Sequence, residues 1–262
     1  MEYTINVNGQ LMDLSQPRVM GILNVTPDSF YSESRAQTKE LIVARVREMM
    51  DLGADIIDVG ACSTRPGSEL ASEQDEMLRL RMALRTIRQE IPDVVLSIDT
   101  FRPAVASMAV KEYGADIIND VSPSEEMFRV VSRLGVPYIL MSQEPTIREM
   151  LLTFARQVQL LRDMGQKDII LDPGFGFGKA LEQNYEVMNG LEELLVMELP
   201  LLVGVSRKSM IWRLLDTTPA EALNATTALN TISLMKGASI LRVHDVKEAV
   251  ECVKIVQQTN SK

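Results

Sequence analysis

Short apolar runs and amphipathic stretches alternate along nearly the whole chain. Runs rich in Val, Ile and Leu fall at Val19–Leu23, Asp55–Val59, Val94–Ile98, Asp116–Ile118, Pro137–Met141, Asp168–Leu171, Leu201–Val205 and Ser239–Val243. Each is almost entirely apolar, the pattern of a strand covered on both faces. Between them, apolar residues recur at helical spacing. In Lys39–Leu52 these are Leu41, Ile42, Val46, Met49 and Met50, with Thr38 as the expected N-cap. The same spacing predicts helices over Ser72–Glu90, Pro103–Tyr113, Glu125–Leu134, Thr146–Met164, Leu181–Met197, Glu221–Lys236 and Val246–Val256. Ahead of this rhythm, Tyr3 to Leu14 alternate about Asn8-Gly9, a hairpin signal.

Eight strand–helix units in 262 residues match the arithmetic of a closed (β/α)8 TIM barrel, an α/β fold, here with a short N-terminal β-hairpin. Gly53-Ala54-Asp55-Ile56-Ile57-Asp58 returns as Gly114-Ala115-Asp116-Ile117-Ile118-Asn119, and more loosely from Gly237, which supports true repetition. An open doubly wound sheet is the alternative, but no Gly-x-Gly-x-x-Gly follows the first strand. No low-complexity linker interrupts the chain, so one domain over residues 1–262 is expected, with the hairpin within 1–16.

The net charge of −9 argues against a nucleic-acid surface, which needs a basic face. Two cysteines give no disulfide framework and fit a reducing cytosol. The N-terminus lacks the basic and apolar regions of a secretion signal. No apolar run approaches the roughly 18 residues of a membrane span. A soluble, cytoplasmic protein is expected.

Candidate chemistry gathers just after the strands: Asn24; Asp58 with Ser63-Thr64-Arg65; Asp99; Asn119-Asp120; Met141 with Ser142 and Gln143; Asp172; Ser206-Arg207-Lys208; and Arg242 with His244. A single Asp or Asn there is usually a helix cap. One at nearly every strand end draws a polar cup at the C-terminal rim, where barrel active sites lie. Arg65, Lys208, Arg242 and His244 are expected on one side, suited to a phosphate or diphosphate. His244, the only histidine, reads equally as an anion contact or as a structural hydrogen-bonding group. Asp99, Asn119 and Asp172 are expected on the other side, suited to the amino-oxo edge of a planar heterocycle. The chain cannot build a multi-histidine metal site; any metal would be magnesium on oxygen ligands. In Asp172-Pro173-Gly174-Phe175-Gly176-Phe177-Gly178-Lys179, glycines let the backbone approach a flat ligand while Phe177 packs on it.

These residues fall in blocks that resemble the dihydropteroate synthases. The blocks are Met20 to Phe30, Asp58-Val59-Gly60 with Ser63 to Gly67, Ser97 to Thr100, Ile118 to Asp120, Asp172 to Lys179, Ser206 to Ser209, and Arg242 to Asp245. They keep the family's order and span most of the chain. The resemblance implies condensation of a dihydropterin pyrophosphate with p-aminobenzoate in folate biosynthesis. It implies that Asp99, Asn119, Met141, Asp172, Gly176 and Lys208 hold the pterin. Asn24, Arg65, Arg242 and His244 would hold the diphosphate, Asn24 alongside Mg2+. Phe30, Thr64, Arg65, Pro66, Phe177 and Ser209 would form the p-aminobenzoate site. Asn24, Arg65, Lys208, Arg242 and His244 would carry catalysis, with no protein nucleophile, in a homodimer.

Three segments depart from the family's pattern. Tyr31 to Arg35 replaces Ser-Asp-Gly-Gly, which should stiffen the first loop. Cys62 stands where many members carry Glu, either as a neutral change or as an oxidation-sensitive thiol. Met141-Ser142-Gln143-Glu144-Pro145 replaces Met-His-Met-Gln-Gly, so only Met141 carries over. Two rivals are a pterin-binding barrel without catalysis and a corrinoid-linked methyltransferase. The latter has no use for the Arg-x-His spacing.

Overall fold

The eight apolar runs become eight parallel strands. The computed structural model of the chain describes residues 3–26, 35–62 and 70–260. A hairpin of β1 (Thr4–Val7) and β2 (Gln10–Asp13) comes first. Asn8 at φ 50° and Gly9 at φ 80° give the left-handed pair that a two-residue hairpin turn requires. The barrel strands are β3 (Arg18–Asn24), β4 (Ile56–Gly60), β5 (Leu96–Asp99), β6 (Ile117–Asp120), β7 (Tyr138–Met141), β8 (Ile169–Asp172), β9 (Leu202–Val203) and β10 (Ile240–Val243). They pair in parallel in the order β8-β7-β6-β5-β4-β3-β10-β9. A bridge from Leu171 to Leu201, beside β9, nearly closes the ring.

Helices α1 (Arg35–Asp51), α2 (Glu73–Glu90), α3 (Pro103–Tyr113), α4 (Glu125–Leu134), α5 (Ile147–Asp163), α6 (Leu181–Asn189), α7 (Ser209–Leu214), α8 (Leu223–Met235) and α9 (Val246–Asn260) fill the connections. Two boundaries differ from expectation. Thr38 does not cap α1; the helix begins at Arg35 and Thr38 lies buried within it. Polar residues with good helix propensity precede the first apolar position, so apolar spacing alone starts the helix too late. The predicted helix Leu181–Met197 breaks at Gly190 into α6 and a 3-10 segment, Leu191–Met197. Glycine there lowers the helical preference by about 1 kcal/mol.

One apolar cluster fills the bottom of the barrel: Met20, Ile56, Ile117, Ile139, Ile170, Leu202 and Ile240, closed off by Ile5, Val7 and Leu14 of the hairpin segment. The hairpin is a plug. A larger cluster packs the outer faces of the strands against the helices.

The repeated Gly-Ala-Asp has a physical reason. Asp55 accepts the backbone N–H of Val19 at 2.9 Å, and Asp116 that of Leu96 at 2.8 Å. Each carboxylate thus pairs an otherwise open donor at the start of the neighbouring strand. Each also meets an arginine, Arg18 at Asp55 and Arg88 at Asp116, both at 2.9 Å. Arg88 further donates to the carbonyls of Pro92, Val94, Tyr113 and Gly114, lacing the end of α2 to the starts of β5 and β6. Arg88→Met should therefore lower the unfolding free energy by about 3 kcal/mol, as loss of a hydrogen-bonded, largely buried charge does. Urea unfolding measures this. Because Arg88 sits at the opposite end from the cup, kcat should not change.

Candidate active site

Strand periodicity builds the site. Alternate residues face the same side, so the position two beyond each floor residue also points inward. Above Ile56, Ile117, Ile139, Ile170 and Ile240 stand Asp58, Asn119, Met141, Asp172 and Arg242. On β5 the same step leads from Val95 through Ser97 to Asp99.

Arg242 is the hub. Its guanidinium donates from Nε to Asp58 Oδ2 and from Nη2 to Asp99 Oδ2, each at 2.6 Å. Asp58 is fully buried and also accepts from Ser97 Oγ at 2.6 Å and Asn119 Nδ2 at 3.1 Å. Arg242 and Asp99 keep 18% and 16% of their side-chain surface open, so they, and not Asp58, face a ligand. Burial pushes Asp99 up to about 7, although Arg242 opposes the shift. Burial also works against the charge of Arg242, but Asp58 and Asp99 outweigh it and raise the guanidinium above its ordinary value. In this cluster the arginine stays charged.

Because Asn119 commits its N–H to Asp58, its amide is oriented. The amide oxygen, Oδ1, is left buried with no hydrogen-bond partner. Asn24 ends β3 close by: a methyl group on Gly60 would lie 3.5 Å from Asn24 Oδ1 and 3.6 Å from Asp99 Oδ2. Burial raises Asp172, against the pull of Lys208. Its carboxylate accepts the Gly174 N–H at 2.7 Å and so starts the glycine-rich loop.

Lys208 donates to the Phe175 carbonyl, with its ammonium 4.8 Å from the centre of the Phe177 ring. Burial lowers it to about 8, with Asp172 opposing. Gly176 leaves room for its stem; a methyl group there would sit 3.1 Å from Lys208 Cδ. Ser209 opens α7 directly after Lys208. His244 follows β10. Its backbone N–H donates to Ser206 Oγ at 3.1 Å, and its Nδ1 lies 3.1 Å from the same oxygen. A ring that accepts the serine proton carries its own on Nε2, a donor for an anion.

The expected halves are thus interleaved. Arg242 lies between two carboxylates and Lys208 beside Asp172, whereas a cationic side opposite an acidic one was expected. Phe30, Thr64, Arg65 and Pro66 lie outside the described residues. Asp58 and Ser206 belong to the expected cup but carry no ligand role in the sequence reading, and Ser97 is given no place in the cup. Asp58 and Ser97 are visible in hindsight from strand alternation. Burial raises the Cys62 thiol, which favours the neutral reading of that substitution over an oxidation-sensitive one. The segment after β7 serves through its backbone. Gly174, at φ +65°, packs so closely that a methyl group would fall 2.1 Å from the Ser142 carbonyl. One on Gly178 would fall 3.1 Å from that of Gln143. Changed side chains leave both carbonyls in place.

Among the described residues, no group of three or more His, Cys, Asp or Glu could hold a metal ion. No helix among them is long and apolar enough to cross a membrane.

Comparison with known proteins agrees with this geometry. The family model for pterin binding enzymes matches residues 20–244. A dihydropteroate synthase of Escherichia coli (strain K12) is 40% identical, over 97% of this chain and 95% of that protein. The dihydropteroate synthase of Yersinia pestis, solved with a sulfonamide drug, superposes with a TM-score of 0.89 at 37% identity, covering 99% of this chain and 100% of the other. That of Xanthomonas albilineans, solved with 4-aminobenzoic acid, gives 0.90 at 31% identity over 100% of both chains. The barrel, its inward ring of Asp, Asn, Lys and Arg, and these likenesses place the chain in the dihydropteroate synthase family, transferases of folate biosynthesis.

Proposed function

We propose that the chain condenses 6-hydroxymethyl-7,8-dihydropterin pyrophosphate with p-aminobenzoate, using the cup above β3 to β10. The observation that carries this residue-level reading is the orphaned Asn119 Oδ1, beside Asp99 on the neighbouring strand, with Asp172 two strands away on the other side. A buried acceptor without a donor costs about 1–3 kcal/mol, which a ligand N–H would recover. The amino-oxo edge of a pterin brings several such donors, and carboxylates accept them well. Lys208 would donate to the ring after releasing the Phe175 carbonyl, and Met141 would pack on its face.

Arg242, His244 and Asn24 stand at the rim, where the diphosphate would lie; the family resemblance adds Arg65 as a further diphosphate contact. The methylene–oxygen bond breaks, and the diphosphate leaves with the electron pair. The p-aminobenzoate nitrogen then bonds to the methylene carbon and releases a proton. The barrier is charge separation, so preorganised donors are the expected catalysts and no protein nucleophile takes part. Phe30, Thr64, Pro66, Phe177 and Ser209 would line the p-aminobenzoate position, with Ser209 meeting its carboxylate. Asn24 would hold Mg2+ through its amide oxygen, a hard donor of the kind this ion prefers, with substrate oxygens expected to supply further ligands. A bound magnesium would neutralise charge on the leaving group. If bond breaking comes first, oxygen-18 at the bridging position will scramble into the diphosphate without p-aminobenzoate. Retention of the label in that same incubation would point instead to concerted displacement.

A pH profile follows. Substrate donors need an ionised Asp99, and the ring contact needs a charged Lys208. kcat/KM for the pterin substrate should rise as Asp99 loses its proton near 7 and fall as Lys208 loses its own near 8. Lys208→Arg should remove the alkaline limb, while a limb unchanged in that variant would assign it elsewhere.

The reading includes a single domain over residues 1–262, a cytoplasmic location and a homodimer. Exposed Leu214, Leu215, Ile232 and Met235 on α7 and α8, with the turn after α7, offer an apolar face for a second copy. Sedimentation equilibrium measures that association.

A further inference from the structure

Lys179 closes the glycine-rich loop, and its half-buried ammonium is turned onto backbone. It donates to the carbonyls of Gly174 at 3.1 Å, Phe177 at 3.2 Å and Ser142 at 3.3 Å. Three acceptors match the three protons of an ammonium group. Two of these carbonyls belong to the loop that presents Phe177, and the third belongs to the segment after β7. Lys208 holds the same loop from the cup side, through the carbonyl of Phe175. The loop backbone is therefore tied to two ammonium groups, Lys208 through Phe175 and Lys179 through Gly174 and Phe177.

The two groups differ in what a ligand would do to them. Lys208 lies beside Asp172 and can turn from Phe175 to a bound ring. Lys179 is bound by three carbonyls at once, where Lys208 is bound by one, so a ligand displaces Lys208 more readily. We propose that Lys179 is a positioning residue that keeps the Gly174–Phe177 backbone in its ligand-ready shape when Lys208 lets go of Phe175. The inference rests on the pterin-site reading above. Gly174 and Gly178 abut the carbonyls of Ser142 and Gln143, so the loop has packing partners but no side chains of its own there. The Lys179 ammonium is the charged tie between the two segments. Charge-assisted hydrogen bonds of this kind are about twice as strong as neutral ones. Burial lowers Lys179 to about 8, against Asp172 and Glu144, so the ammonium form depends on these acceptors and these two carboxylates.

The test compares Lys179→Met, which keeps length without charge, with Lys179→Arg, which keeps charge. Hydrogen–deuterium exchange of residues 174–178 is followed in the free protein, and dihydropterin pyrophosphate affinity is measured by calorimetry. Lys179→Met should speed exchange in this segment about tenfold and weaken the ligand about tenfold, while exchange elsewhere in the barrel is unchanged. Lys179→Arg should restore at least half of each effect on a logarithmic scale. Unchanged exchange in Lys179→Met would overturn the proposal, as would faster exchange with wild-type affinity. A wild-type protein that binds no pterin would overturn the functional reading and with it the ligand-ready part of the proposal. The exchange result would then still decide whether Lys179 holds the loop.

Discussion

Arg242→Met will abolish most of the activity and also weaken the fold, and adding Asp58→Asn will repair only the fold. Arg242 is the positive charge between Asp58 and Asp99, at 2.6 Å from each. Without it, two carboxylates face each other, and Asp58 has no exposure to water. Breaking such a buried pair costs about 3–5 kcal/mol. Asp58→Asn removes one of the stranded charges while retaining a hydrogen-bonding side chain, so most of that loss should be recovered in the double variant. Activity behaves differently, because the guanidinium also faces the diphosphate position. Losing one preorganised donor lowers kcat about 100- to 1,000-fold. Thermal unfolding and steady-state kinetics on the four proteins separate the effects. Activity that returned together with stability would show that Arg242 is structural only.

Gly174→Ala is expected to have the second large effect. At φ +65° a side chain is strained, and its methyl carbon would lie 2.1 Å from the Ser142 carbonyl oxygen. No flexible side-chain end can yield there; the obstruction is backbone, continuous with β7. Strain of about 1–3 kcal/mol applies before the clash is counted. The loop must then move off the end of β7, carrying Phe177 and the carbonyl that holds Lys208. The pterin KM should rise at least about tenfold, by analogy with other losses of site positioning. A crystal structure of the variant with an unmoved loop, or an unchanged KM, would remove this loop from the site.

Much of this arrangement was legible in the chain. Asn8-Gly9 announced the hairpin, and apolar runs placed every barrel strand boundary to within two residues. The polar strand ends marked the cup, and Asp99, Asn119, Met141, Asp172, Lys208 and Arg242 do converge on it. What could not be read came from closure of the ring. Arg242 and Asp58 are 184 positions apart, yet β10 and β4 flank β3. A list of strand ends separates cations from carboxylates by residue type, whereas the barrel interleaves them by strand order. Asp58 stood in the expected cup without a role, because its partner Arg242 comes from a strand far away in the chain. The segment after β7 looked degraded because side chains were compared, while its neighbours use its carbonyls. Thr38 and Gly190 show the same limit on a smaller scale: apolar spacing sees the buried stripe of a helix but not its polar beginning or its break.

The central claim is that the cup makes a carbon–nitrogen bond at the expense of a carbon–diphosphate bond. The most direct measurement incubates the purified protein with magnesium, the dihydropterin pyrophosphate and p-aminobenzoate, and quantifies both products. Dihydropteroate and pyrophosphate should accumulate in equal amounts, with Arg242→Met slower by at least about 100-fold. Tight pterin binding without either product, or with pyrophosphate but no dihydropteroate, would contradict the account.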